Sequence, residues 1–276
     1  MSSNVYGAYT PSKAAAIILG IVFLILTILQ LWRIIASRKW FGLAIVTGGL
    51  FELIGLFARA YSATHTSEQT PYIIQILLIL LAPILFAASV YMFLGRLIRA
   101  SGHPDLSLIR ITWLTKIFVA GDIFCFLIQA AGAAKLVNAD TVNAVNSAQN
   151  IVLGGLGLQV LFFCVFAACA VVFHVRVLSP RIRGNVYPGL NLNAMLGTLY
   201  LSSLLITVRN VYRLLEYTEG EDGYLQSHEW PTYGLDVVLM AVIMGITLFW
   251  YSVELDGTDK EQEQGAYPLV YSQSCP

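Results

Sequence analysis

PYIIQILLILLAPILFAASVYMFLGRLI, residues 71–98, decides the fold. From Tyr72 to Gly95 it carries no charged side chain, and it is longer than the about 20 apolar residues a helix needs to cross roughly 30 Å of hydrocarbon. Six other stretches share this character. The full set of expected spans is 13–35, 41–61, 72–98, 111–134, 150–177, 194–216 and 233–253. None shows the two-residue alternation of a barrel strand, and lipid admits only helices and closed barrels because it cannot hydrogen-bond an exposed backbone. The expected fold is therefore an all-α integral membrane protein, a seven-transmembrane helix bundle. Residues 1–12 form an expected extracytosolic segment, 13–253 the transmembrane domain and 254–276 a cytosolic tail.

Composition agrees. Of 276 residues, 57% are hydrophobic and 12% charged, with mean hydropathy +0.72; a soluble domain carries about 25% charged residues. The zero net charge argues against a nucleic-acid partner. Cys125, Cys164 and Cys169 fall inside apolar spans and Cys275 in the tail, so no loop disulfide and no zinc spacing is expected. The opening MSSNVYGAYTPSK lacks the basic region of a secretory signal peptide and leads directly into the first span. No Asn-x-Ser/Thr acceptor occurs.

Charge at the span ends predicts orientation. Arg33, Arg38 and Lys39 flank the first loop, Arg96, Arg99 and Arg110 the third, and Arg176, Arg181 and Arg183 the fifth. The alternate loops hold little beyond Lys135, and the sixth is acidic, with Glu219, Glu221, Asp222 and Glu229. The positive-inside rule places the N-terminus outside and the C-terminus in the cytosol. The tail, polar and acidic around DKEQEQG, reads as disordered.

Within the spans stand Glu52, Gln75, Asp122, Gln129, Gln159, Arg209, Arg213, Glu216 and Asp236. A charge at bilayer depth costs a few kcal/mol or more unless it is paired or meets water, so these side chains are expected to face the bundle interior. At 1.5 Å per residue Glu52 lies roughly 16 Å into the second span, with Asp122 at similar depth and most of the others farther outward. Glu52 and Arg59 are seven apart, as are Asp122 and Gln129, which puts each pair on one helix face. Arg209, Arg213 and Glu216 form an i, i+4, i+7 stripe. A polar cavity open to the extracytosolic side is the expected arrangement. The plainer alternative is that these groups hold the bundle together, each interhelical contact contributing about 1 kcal/mol. His228 with Glu229 reads either as a polar entrance to the seventh span or as a solvated loop. Pro83 is expected to kink the third span, and Gly154, Gly155 and Gly157 to permit close helix approach.

Several pieces, taken in order, resemble the fungal RTA-like, or lipid-translocating exporter, family. They are YTPSKAAA at 9–16, FELIGLFAR at 51–59, the third span quoted above, DIFCFLIQAAGA at 122–133, IVLGGLGLQ at 151–159, and VRNVYRLLEYTEGEDGYLQSHEWPTYGLD at 208–236. The stretch after Gln129 departs from the family's glycine-rich pattern, reading AAGAA with Gly132 alone. The resemblance implies roles in transbilayer movement or export of sphingoid long-chain bases, resistance to toxic sterol-like amphiphiles, or porphyrin handling. It also implies substrate-binding importance for Glu52, Arg59, Gln75, Asp122, Gln129, Gln159, Arg209, Arg213, Glu216, Glu229 and Asp236.

The leading expectation is a membrane lipid or amphiphile translocator contributing to stress or drug resistance, with membrane lipids and a lipid-like substrate as partners, no cofactor and no metal. The plasma membrane is the expected location, with vacuolar or other endomembranes as alternatives. No G-x-x-x-x-G-K-[ST] loop is present, so movement is expected to be gradient-driven, facilitated or partner-dependent. A seven-span receptor is the second reading, but the seventh span lacks an Asn-Pro-x-x-Tyr element and lacks a lysine for retinal attachment. An intramembrane hydrolase is the third. His65, His103 and His174 lie at membrane edges or in loops, which leaves Glu52, Asp122 and Asp236 as its carboxylates; the expectation is that the chain is not an enzyme.

Overall fold

The computed structural model describes residues 12–65, 69–137, 141–179, 192–219 and 223–252. The described residues are helical, with no strand among them. Helix α1 runs Lys13–Ser37, and α2, Leu43–Ser62, follows a 3-10 turn at Trp40–Gly42. Next come α3 (Gln69–Ala100), α4 (Ile111–Val137), α5 (Val142–Val177) and α6 (Leu192–Glu219). A short helix α7, Tyr224–Ser227, precedes the last span. That span opens with a π-helical turn, Thr232–Val237, continues as α8 (Val238–Thr247) and closes with a 3-10 turn, Leu248–Ser252. Seven helices are long and apolar enough to cross a membrane, as the sequence predicts. The N-terminal segment before Ser12, Arg181, Arg183, Glu221, Asp222, Cys275 and the tail lie outside the described residues.

Consecutive helices pack side by side, and α8 closes the ring by lying between α6 and α1. Helix α3 is central, touching α2, α4, α5, α6 and α8. Its faces are buried accordingly: Phe86, Val90, Tyr91, Phe93, Leu94 and Leu97 are all inaccessible. Phe93 stacks on Trp250 at 4.0 Å between ring centroids, and the Trp250 indole N–H donates to Thr198 Oγ1 at 3.0 Å. The outer surface is apolar, with Ile28, Trp32, Leu127, Leu161, Val175, Leu204 and Phe249 exposed. Apolar side chains outside and charged ones inside is the arrangement lipid demands, and the chain is an integral multi-pass membrane protein.

Three differences from the sequence reading have physical causes. Helix α5 starts at Val142, not 150, because Thr141 caps it: its Oγ1 accepts from the Ala144 N–H at 3.3 Å. The added polar turns carry α5 to 36 residues, about 54 Å at 1.5 Å per residue, beyond the hydrocarbon thickness. Second, of the three glycines in LGGLG only Gly155 meets a neighbouring helix, while Gly154 and Gly157 face open space. Third, the basic residues of the first loop do more than mark topology. Arg33 donates to the Leu248 carbonyl at 3.3 Å and Lys39 to the Tyr251 carbonyl at 3.3 Å, satisfying the orphan acceptors that end the seventh span.

Candidate functional site

Where α2 and α6 approach their C-terminal ends and the seventh span begins, seven polar side chains form one connected network. Arg209 on α6 donates from Nε to Asp236 Oδ1 at 2.6 Å. Its Nη1 reaches Asn210 Oδ1 and its Nη2 reaches the Ile79 carbonyl on α3, both at 3.4 Å. That carbonyl is available because Pro83, four residues on, has no N–H to donate to it. The proline read from the sequence as a kink thus creates an acceptor for a buried guanidinium. Arg213 donates from Nη2 to the other Asp236 oxygen and from Nη1 to Glu216 Oε2 at 3.0 Å. Tyr212 donates to Glu216 Oε1 at 3.2 Å and shares a hydrogen bond with Thr232 at 3.2 Å. Asp236 sits in the π-helical turn, a distortion frequent at functional sites.

Glu52 belongs to the same neighbourhood. The charges acting on it are those of Asp236, Arg209 and Arg213. It is 0% exposed, yet neither carboxylate oxygen accepts a hydrogen bond from the described residues. Nε of Arg213 is likewise buried without an acceptor. Gln75 is buried on α3 one turn before Ile79, where α3 faces α2 across Gly55.

A second knot lies beyond it. Arg59, seven residues after Glu52 on the same buried face of α2, donates from Nε to the Tyr233 hydroxyl at 3.2 Å and pairs with Glu229 at 3.5 Å. Both Glu229 oxygens accept the Ser12 backbone N–H, at 2.9 and 2.8 Å. Ser12 caps α1, so Glu229 places negative charge at a helix N-terminus, where the dipole favours it. This knot ties the start of α1, the end of α2 and the start of the seventh span together. His228 is exposed and stacks on Tyr224.

Asp122, Gln129 and Gln159 bond elsewhere. Asp122 is 1% exposed and accepts at 2.8 Å from the hydroxyl of Tyr91, whose ring packs against Phe118, Phe163 and Phe166; Oδ1 of Asp122 accepts nothing from the described residues. Gln129 donates to Gln159 Oε1 at 2.9 Å, joining α4 to α5. Neither contact shares a residue with the α2–α6–Asp236 network. Replacing either glutamine alone with leucine should cost about 1–3 kcal/mol, because the surviving buried amide loses its partner. The double replacement should recover most of that loss; thermal unfolding of the purified proteins measures both.

The expected open chamber is closed at this point. Glu52, Arg209 and Asp236 are at most 1% exposed, since Asp236 of the seventh span pairs with both α6 guanidiniums and draws the two helices together. A cleft of about 280 Å³ lies at the opposite end of the bundle, lined by Leu29, Trp32, Arg33, Leu248 and Phe249. Among the described residues, no three His, Cys, Asp or Glu side chains are grouped to hold a metal.

Residues 45–255 match the family model described as RTA1 like protein. The chain belongs to the RTA1-like family. Three curated proteins of Saccharomyces cerevisiae show the range of its relatives. Protein RTM1 is 33% identical, across 86% of this chain and 89% of its own. Protoporphyrin uptake protein 1 is 32% identical, across 86% and 88%. The sphingoid long-chain base transporter RSB1 is 24% identical, across 90% and 74%. No solved structure matches.

The RTA1-like sequence concealed several members of the site. The signal that could have found Tyr212 is its i, i+4 spacing to Glu216, and for Asn210 its place beside Arg209. Tyr91 and Tyr233 were visible only as hydroxyls in buried surroundings, which usually need a partner. Gln30, an amide in the first span, is 0% exposed and donates to the Met244 carbonyl at 2.8 Å and to Thr247 Oγ1 at 2.7 Å. It fixes α1 to α8 on the side away from the charged cluster.

Proposed function

We propose that this RTA1-like protein moves lipid-like amphiphiles across the bilayer, and that its activity is transport and not bond-making. The observation that carries the reading is the buried network around Glu52: three carboxylates and two guanidiniums at the meeting of α2, α6 and the seventh span. Ionisable side chains inside a membrane bundle are rare and costly, and they mark substrate or ion pathways by default. The relative named a sphingoid long-chain base transporter supports a substrate with a cationic head and an alkyl tail. The head would enter among Glu52, Asp236, Arg213 and Glu216, with Arg59, Glu229 and Gln75 flanking that path, while the tail stays between helices in lipid. Asp122, Gln129 and Gln159 line the α3–α4–α5 side of the proposed route.

In this reading the N-terminus and the charged network face the extracytosolic side, the C-terminus is cytosolic, the plasma membrane is the working location, and resistance to toxic amphiphiles is the cellular consequence. The closed packing corresponds to an occluded state, and opening requires α2, which carries Glu52, to move relative to α6 and the seventh span. The test is purified protein in liposomes without nucleotide, loaded with a fluorescently labelled sphinganine whose outer-leaflet pool is quenched chemically. Protein-dependent acceleration of transbilayer movement is expected. Rates equal to those of protein-free vesicles reject the proposal.

A further inference from the structure

The charges of the network do not balance, and the imbalance falls on one residue. Arg209 pairs with Asp236, and Arg213 pairs with both Asp236 and Glu216. Two guanidiniums therefore close on two carboxylates, and Tyr212 adds a further donor to Glu216. Glu52 is the third carboxylate. It is fully buried, and neither oxygen is bonded within the described residues. Three of the five Arg209 N–H groups are held by Asp236, Asn210 and the Ile79 carbonyl, and Arg213, whose Nε–H is buried without an acceptor, is already shared by Asp236 and Glu216, so neither cation is Glu52's own.

The other helices against α2 do not correct the deficit. Helix α3 faces it along Gln75–Ala82: Ile79 meets Gly55, and the Ala82 carbonyl meets Gly48. That stretch contains no charged residue. Helix α1 faces it along Gly20–Thr27, where Phe57 meets Gly20 and Thr27 meets Gly49; this stretch is also uncharged. The charged groups facing Glu52 are thus Asp236, Arg209 and Arg213 alone among the described residues. A buried carboxylate with no hydrogen-bond donor and no cation of its own is not a stable ion. Buried polar atoms left unsatisfied in a native fold call for a specific explanation.

We propose that Glu52 is an exchange site for one cation, occupied either by a proton or by the ammonium head of the amphiphile, so that arrival of one releases the other. This rests on the translocator reading and adds to it the coupling ion. When the ammonium approaches, the carboxyl O–H gives its proton to water, and the resulting carboxylate takes the ammonium. The site holds one positive charge against Glu52 before and after, so the Arg209–Asp236–Arg213–Glu216 pairs need not break. In a membrane carrying a pH difference, this exchange makes the proton gradient the source of directed movement.

The test uses the full chain in lipid nanodiscs, with N,N,N-trimethylsphinganine as probe. Its nitrogen carries no proton, so any proton released comes from the protein. Addition of probe should remove the infrared C=O stretch of a protonated carboxyl group and acidify a weakly buffered medium in proportion to probe bound. The apparent Kd should rise about tenfold for each pH unit below the range in which Glu52 titrates. Glu52→Gln should lose the infrared change and the pH dependence, and Glu52→Asp should retain both. The wild-type measurements stand without either variant. If labelled base still moves faster in proteoliposomes, but probe binding releases no proton and is independent of pH, the exchange is overturned and the translocator reading survives. If neither binding nor accelerated movement is seen, both fall together.

Discussion

Arg209→Met alone is expected to destabilise the protein by about 3–5 kcal/mol, the usual consequence of removing one member of a buried ion pair. Three partners lose a donor at once. Asp236 keeps only Arg213, while Asn210 Oδ1 and the Ile79 carbonyl are left without the guanidinium. The carbonyl cannot recover its helical bond, because residue 83 is proline. Arg209→Met combined with Asp236→Leu should regain most of the stability, since a buried pair replaced by apolar residues of similar volume is often neutral or better. Arg213 retains Glu216 in that double variant. The two proteins should then separate on transport: the double variant is expected to unfold near the wild-type temperature in nanodiscs yet fail to accelerate base movement in liposomes. Wild-type transport by the double variant would make the pair an adhesive between α6 and the seventh span, and nothing more.

The bonding pattern divides the buried charges into two kinds. Arg209 and Asp236 are bonded across their polar faces and fix the helices relative to one another. Glu52 is equally buried but unbonded, and removing its charge breaks no contact. A structural tie and a working carboxylate can share one cluster when the tie holds the low-dielectric site in shape and leaves one group uncommitted. Pro83 takes part in the tie by leaving the Ile79 carbonyl to Arg209, so a feature of α3 helps hold a site built from α2, α6 and the seventh span.

The spans could be read directly because lipid allows the backbone no other structure and the side chains no other composition. Which polar residues lie inside followed from the same rule: Glu52, Gln75, Asp122, Gln129, Gln159, Arg209, Glu216 and Asp236 are all buried. Their partners were not legible. A helix period shows that Glu52 shares a face with Arg59, but not that Arg59 turns to Glu229 and Tyr233 at the start of another span. Similarly, Asp122 and Gln129 share a face and still bond to different helices, α3 and α5, because α4 packs between them. The π-helical turn at Thr232–Val237 carries no sequence signature as strong as a cap, so its presentation of Asp236 could not be anticipated. The orientation rule counted Arg33 and Lys39 as topological charges, and it had no means of seeing that both also close the end of the seventh span.

Gly155→Leu is the substitution expected to disturb the other half of the bundle most. A Cβ at this position would stand 2.8 Å from Gln129 Cγ, 3.1 Å from the Cys125 carbonyl oxygen and 3.2 Å from Ile128 Cγ2. A side chain can move aside, but a carbonyl oxygen inside α4 cannot move without its helix. Leucine must therefore push α4 and α5 apart, and overpacking of this kind costs about 1–3 kcal/mol or more. The loss should sit at the upper end, because Gln159 lies one turn along α5 and its 2.9 Å bond to Gln129 would lengthen as the helices separate. Gly154→Leu and Gly157→Leu are the controls, since both positions face open space. Leucine exceeds glycine in helix propensity, so these two should be neutral or more stable by about 0.5–1 kcal/mol. Thermal unfolding in one lipid composition compares all three. Equal melting of Gly155→Leu and Gly154→Leu would mean that α4 and α5 do not meet at this glycine, and the placement of Asp122 against Tyr91 across the adjoining α3–α4 contact would have to be redrawn with it.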